Sequence, residues 1–223
     1  MAGWLNIDFM VKYAPWYIEA AGLTIRIAFF GIVLSLVLGF VCAAVQYYKV
    51  PVLRQITAAY IELSRNTPLL IQLFFLYFGL PKIGLTFSAE TCAVIGLTFL
   101  GGSYMAEAFR SGLESVEHSQ LESAFSLGFS PWLTMKEIVF PQAMALSVPG
   151  LCANVIFLIK ETSVVSGIAL ADLMYVAKDL IGLYYETDEA LIMLVIAYLV
   201  ILLPISLAAS WLERRLRYAG FGA

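Results

Sequence analysis

The sequence predicts an all-α integral membrane protein of about five transmembrane helices, and three observations carry that expectation. Hydrophobic residues fill 61% of the 223 positions and charged residues only 13%, with a mean hydropathy of +0.88, whereas ordinary soluble domains are roughly 25% charged. Residues 27–48 and 190–212 carry no charge, and each is long enough for a bilayer core that takes roughly 20 apolar residues per helix. The apolar runs are continuous rather than alternating, which excludes the strand pattern of an outer-membrane barrel.

The elements follow in chain order. Residues 1–19 form a mixed leader whose Trp4, Phe9, Tyr13, Trp16 and Tyr17 suit the headgroup layer, because amphipathic rings favour that boundary. A short interfacial helix is expected there, ahead of a first span over roughly 22–47. That run is too long for a cleavable signal core and stays as an anchor. Further spans are expected over roughly 62–81, 89–109, 141–161 and 189–212, with a polar segment 119–140 between the third and fourth and a tail 213–223. Pro141 and Pro149 in the charge-free run 138–159 predict a kinked or separate entry into the fourth span.

An odd number of spans puts the termini on opposite sides, and lysine and arginine choose between them. With the C-terminus inside, Lys49, Arg54, Arg65, Arg110, Lys136, Arg214, Arg215 and Arg217 are cytoplasmic, and Lys12, Arg26, Lys82, Lys160 and Lys178 lie outside. The tail "ERRLRY" therefore predicts a cytoplasmic C-terminus and an extracytoplasmic N-terminus.

Several chemistries are set aside by residue type. No glycine precedes a lysine, so the phosphate-cradling P-loop is missing, and hydrolysis of ATP by that route is excluded. Cys42, Cys92 and Cys152 lie in apolar runs and are odd in number, reading as small buried hydrophobes rather than a disulfide framework. His118 is the sole histidine, which argues against a zinc site and leaves it a solvated loop residue. No nucleophilic triad and no internal repeat is present. Neither an enzyme nor a nucleic-acid binder is expected.

The polar segment "HSQLESAFSLGFSPW" has its own grammar. Ser119 and Glu122 have capping-box spacing, which predicts a helix starting near Gln120. Leu121, Ala124, Phe125 and Gly128 recur at i, i+3, i+4 and i+7 as one apolar stripe. Gly128 suits a left-handed helix end, and Ser130 with Pro131 suits the cap and first position of a second helix that Pro141 should stop. So short a helix is marginal alone, so its stripe packs either on the protein's own cytoplasmic face or on a partner. Spacing leaves both open.

The run "ESAFSLGFSPWLTMKEIVFP" resembles the EAA motif of ABC importer permeases. Glu122, Ser123 and Ala124 are followed at the motif's spacing by Gly128, Ile138 and Pro141, with Ser123 replacing the usual alanine and Phe140 the usual leucine. Also, "RNTPLLIQLFFLYFGLP", "YMAEAFRSGL" and "IKETSVVSGIALADL" are similar to segments of permeases for polar amino acids, so the likeness runs from about Ala20 onward. The resemblance implies the type I importer fold and an EAA helix, centred on Leu121, Glu122, Ser123, Ala124, Phe125 and Gly128, that docks in a groove of an ATPase subunit. It further implies a second permease copy, an extracytoplasmic solute-binding protein, and ATP and magnesium used by the partner ATPase, with no cofactor bound by this chain.

Intramembrane polar groups are costly and tend to face a cavity or partner. Asn66, Thr67, Gln72, Asn154, Lys160, Glu161, Thr162 and Ser163 are accordingly the candidates for a substrate path. Each also has a plainer reading: Asn66 and Thr67 as caps of the second span, Gln72 and Asn154 as interhelical hydrogen-bond links, and Lys160 and Glu161 as interface charges. Glu107 and Arg110 have the spacing of a helix-surface ion pair. A self-contained channel or secondary transporter is the rival reading, disfavoured because inverted repeats and midplane coupling residues are not evident.

Overall fold

A computed structural model describes the fold of residues 5–220 and the side chains as far as residue 216. The regular elements among the described residues are all helices, in the order α1 (Ile7–Tyr47), α2 (Leu53–Arg65), α3 (Leu69–Phe74), α4 (Ala89–Glu114), α5 (His118–Ser126), α6 (Pro131–Thr134), α7 (Phe140–Glu161), α8 (Leu173–Tyr184) and α9 (Thr187–Gly220). Stretches Ile7–Tyr47, Ala89–Glu114, Pro131–Ile168 and Thr187–Leu216 are long and apolar enough to cross a membrane, and Leu69–Ile83 is a shorter apolar run.

The chain divides into two compact units, one of residues 1–33, 67–98 and 156–205 and the other of residues 34–66, 99–155 and 206–223. In the first unit the leader departs from expectation. It is no separate interfacial helix but the opening of α1, with Pro15 inside the helix. Asn6 caps it by accepting from the Phe9 N–H at 3.1 Å. Phe9, Tyr13 and Tyr17, at i, i+4 and i+8, are buried against the rest of the unit. Rings of Phe9 and Tyr13 lie 5.8 and 5.1 Å from Tyr184 of α8, and the Tyr17 hydroxyl donates to the Ala190 carbonyl at 2.7 Å. This aromatic face holds the helix through its proline. Trp16 is exposed, and Trp4 lies outside the described residues.

The expected second span also shifts. Residues 62–65 belong to α2, and the chain breaks at Asn66–Pro68 before α3 begins at Leu69. A residue preceding proline is steered out of the helical region, so α2 cannot run on through Thr67 into Pro68, and it ends at Arg65 with Asn66 as its C-cap. The apolar run then widens into a π turn at Phe75–Gly79 and tightens into a 3-10 turn at Leu80–Ile83.

In the second unit, α1 and α4 meet where a β-carbon on Gly39 would lie 2.5 Å from Met105 Cβ and 2.8 Å from the Ala106 nitrogen. Small residues permit such approach between membrane helices, and hydroxyls supply links across it. Tyr60 and Ser64 of α2 both donate to the Phe99 carbonyl, at 2.7 and 2.9 Å, and Ser103 donates to Ser64 at 3.1 Å.

Pro141 does not stop the helix that begins at Pro131. A π turn at Met135–Val139 lies directly ahead of it and α7 continues to Glu161, with Pro149 inside. Proline cannot donate to the turn below, and the widened turn absorbs the unmatched carbonyl.

Candidate functional site

The polar segment folds into a helix, a sharp left-handed exit and a second helix that merges into α7. Its capping box does not form. Helix α5 starts at His118, two residues earlier than expected, and its N-cap, Glu117, makes no side-chain cap. Ser119 therefore sits inside the first turn, where its hydroxyl donates to the Glu117 carboxylate at 3.1 Å, while Glu122 faces His118 Nδ1 at 3.2 Å. His118 is thus a helix residue rather than a loop residue.

The exit is built as anticipated. Gly128 has φ +82°, the Phe129 N–H donates to the Ala124 carbonyl at 3.0 Å and the Gly128 N–H to the Phe125 carbonyl at 3.0 Å. That paired closure is a Schellman motif, which needs a left-handed residue after the last turn. Ser130 Oγ then accepts from the Leu133 N–H at 3.2 Å, with Pro131 at the first helical position. Gln142 Nε2 donates to Gln120 Oε1, tying the start of α7 to α5.

The stripe splits by exposure. Ala124 is buried, Leu121 is partly buried, and Phe125 is 49% exposed. Two further apolar side chains escaped the periodicity reading, Leu127 at 77% and Trp132 at 72% exposure. Leu127 falls in the turn after α5 and Trp132 in the four-residue helix α6, both too short for helical spacing to give a signal. Glu122 and Ser123 are exposed alongside, and Ser123 Oγ donates to the Ser119 carbonyl at 2.8 Å. The segment thus exposes Phe125, Leu127 and Trp132 together with the Glu122 carboxylate.

The path candidates are divided between the two units. Asn66 and Asn154 belong to the second unit, and Thr67, Gln72, Lys160, Glu161, Thr162 and Ser163 to the first. Asn66 closes the end of α2 instead of starting the next span, its Nδ2 donating to the Glu62 carbonyl at 2.8 Å. Asn154 Nδ2 donates to the Tyr104 carbonyl at 3.0 Å, linking α7 to α4. Gln72 Nε2 donates to the Thr67 carbonyl at 2.9 Å. Lys160 is exposed and Glu161 and Ser163 are partly buried. Thr162 is buried with its hydroxyl donating to the Ile159 carbonyl at 2.7 Å. Helix α3, which carries Gln72, packs on the 3-10 turn Thr162–Ile168, where a β-carbon on Gly167 would lie 2.6 Å from Leu70 Cδ1. Gln72, Thr162 and Ser163 are therefore the candidates carried by neighbouring elements.

Asp172 was not among the candidates. It is fully buried, its carboxylate accepts from the Tyr175 N–H at 2.9 Å as the cap of α8, and burial pushes its carboxyl up to about 6. Among the described residues, no group of histidine, cysteine and carboxylate side chains is arranged to hold a metal ion.

Three comparisons bear on this arrangement. The family described as the binding-protein-dependent transport system inner membrane component matches residues 35–218. The chain is 32% identical over 217 residues to a probable amino-acid ABC transporter permease of Vibrio harveyi, covering 96% of this chain and 97% of that protein. It is 36% identical over 195 residues to a probable glutamine ABC transporter permease of Bacillus subtilis strain 168, covering 86% and 89%. A crystal structure of an amino acid ABC transporter with histidines superposes with a TM-score of 0.89 at 32% identity, over 95% of this chain and 99% of that one.

Proposed function

Because the chain belongs to the family of binding-protein-dependent transport system inner membrane components, we propose that it forms the translocation path of an ATP-driven importer for a polar amino acid. The superposition on a solved amino acid transporter, at a TM-score of 0.89 over 95% of the chain, is the observation that carries this reading. Family membership favours it over a self-contained channel or secondary transporter.

In this reading the chain contributes no ATP chemistry of its own. A separate ATPase subunit uses ATP and magnesium and grips α5 on the cytoplasmic side, with Phe125, Leu127 and Glu122 as the contact. A second permease copy completes the pathway and an extracytoplasmic binding protein delivers substrate. The C-terminus is cytoplasmic and the N-terminus extracytoplasmic, following the basic tail. Gln72, Thr162, Ser163, Lys160 and Glu161 supply polar contacts for a zwitterionic substrate, since an amino acid crossing a low-dielectric layer needs partners for both of its charges.

The test is uptake of a panel of radiolabelled amino acids into proteoliposomes that hold this chain with its ATPase and binding protein. Import of at least one polar amino acid that requires ATP inside and binding protein outside is expected. Import that proceeds without either component would overturn the proposal.

A further inference from the structure

We propose that Glu107 is a positioning residue for energy coupling: a carboxylate shared by two arginines that makes the end of α2 and the last turns of α4 move together with α5. The inference rests on the reading above that α5 receives an ATPase.

Tyr104, Glu107, Arg110 and Glu114 are spaced three or four residues apart on α4 and so lie along one face. Arg65, the last residue of α2, lays its guanidinium 5.2 Å from the Tyr104 ring centroid and pairs through Nη1 with Glu107 Oε2. The other oxygen of Glu107 faces Arg110 Nη2 at 3.4 Å, and Arg110 Nη1 reaches both oxygens of Glu114, at 3.0 and 2.8 Å. Charges alternate along the whole ladder and cancel. The Tyr104 carbonyl beneath it accepts from Asn154 of α7.

Each of these side chains is more than a third exposed, and an isolated pair of that kind contributes little. The pairs here are not isolated. Glu107 pairs with both guanidinium groups, so its loss leaves Arg65 and Arg110 as neighbouring like charges. Only Ser115, Val116 and Glu117 separate Glu114 from α5, and Arg65 immediately precedes the break at Asn66–Pro68. A displacement of α5 therefore reaches the end of α2 through paired charges as well as through backbone.

The experiment uses proteoliposomes containing this chain, its ATPase and its binding protein, and reads substrate imported per ATP hydrolysed together with co-purification of the ATPase. Glu107→Gln should lower the import per ATP by about 10-fold, within the usual range of coupling between sites, while the ATPase still co-purifies and still hydrolyses ATP. Arg65→Gln should act in the same direction, and the double substitution should be no worse than the worse single one, because Arg65 acts through its pair with Glu107. A ratio unchanged in Glu107→Gln, or losses that multiply in the double variant, would overturn the proposal. If Glu107→Gln does not accumulate in membranes, Arg65→Lys serves, since it keeps the charge and loses the planar fork; a lowered ratio supports the ladder and an unchanged one overturns it. Absence of substrate-stimulated hydrolysis in the unaltered assembly would count against the importer reading, and is distinguishable from failure of the ladder.

Discussion

Gly112 of α4 and Ser147 of α7 approach so closely that a β-carbon on the glycine would overlap Ser147 Oγ and the Ala143 carbonyl oxygen, and would lie 3.0 Å from the Ser147 nitrogen. The obstacle is partly backbone, so rotation of the serine cannot remove it. Gly112→Ala should destabilise the chain by about 1–3 kcal/mol, the usual cost of overpacking. Gly182 of α8 has nothing within 4 Å of the corresponding position, and Gly182→Ala should instead stabilise by roughly 0.5–1 kcal/mol through helix propensity. Thermal unfolding of the detergent-solubilised chain reads both, and loss of the opposite signs would remove the close approach from the description.

Asp172 should impose a pH dependence on stability. Its carboxyl rises from an ordinary 3.8 to about 6 because burial outweighs the backbone N–H groups and Lys178 that favour the charge. Between those values the folded chain holds a proton that the unfolded chain has released, so stability falls as pH climbs from about 4 to about 6 and stays lowered above. Asp172→Asn keeps an acceptor for the Tyr175 N–H and removes the ionisation. It should flatten the slope and be at least as stable as the unaltered chain at pH 7. Asp172→Ala loses the cap and should cost about 1 kcal/mol. Unfolding curves at pH 4.5, 6 and 7.5 decide, and an unchanged slope in Asp172→Asn would assign the dependence elsewhere.

Gly128 should be needed for backbone shape and not for room. A β-carbon there meets nothing within 4 Å, yet φ is +82°, where a β-branched residue is strained by roughly 1–2 kcal/mol. Gly128→Val should lower transport in a chain that still inserts, and Gly128→Asn should do less harm, because asparagine tolerates the left-handed region. Equal activity of the two variants would separate the Schellman closure from function.

The fold class was legible because bilayer solvation leaves a composition signal that no local detail cancels: the charge-free run 190–212 falls inside α9, and 27–48 lies in α1 but for its last residue. The Gly128 exit and the Ser130–Pro131 start were legible for a different reason, since each depends on one residue's own backbone preference. What misled was tertiary. Tyr13 and Tyr17 have the composition of a headgroup anchor, but their partners Tyr184 and Ala190 lie more than 170 residues away in the chain, so burial was invisible locally. Ser119 and Glu122 have capping-box spacing, yet α5 begins at His118, and a two-residue shift dissolves the motif. Pro141 carries a stop signal that the π turn before it overrides. The Glu107–Arg110 pair was anticipated, but its shared partner Arg65 comes from another helix.

The docking role proposed for α5 can be separated from its folding role, because Phe125 is 49% exposed whereas Ala124 is buried. Phe125→Asp should leave the chain folded and inserted while placing a carboxylate in an apolar groove of the ATPase, where burying an unpaired charge is costly. Co-purification of the ATPase should fall sharply and substrate-stimulated hydrolysis should vanish. Glu122 makes no cap and faces the exposed His118, so no capping bond favours Glu122→Gln over Glu122→Ala. Both should weaken ATPase association alike, by loss of one interfacial charge. If alanine were clearly worse than glutamine, a hydrogen bond and not the charge would hold the partner. If Phe125→Asp kept both association and transport, the ATPase would have to grip the chain somewhere other than α5.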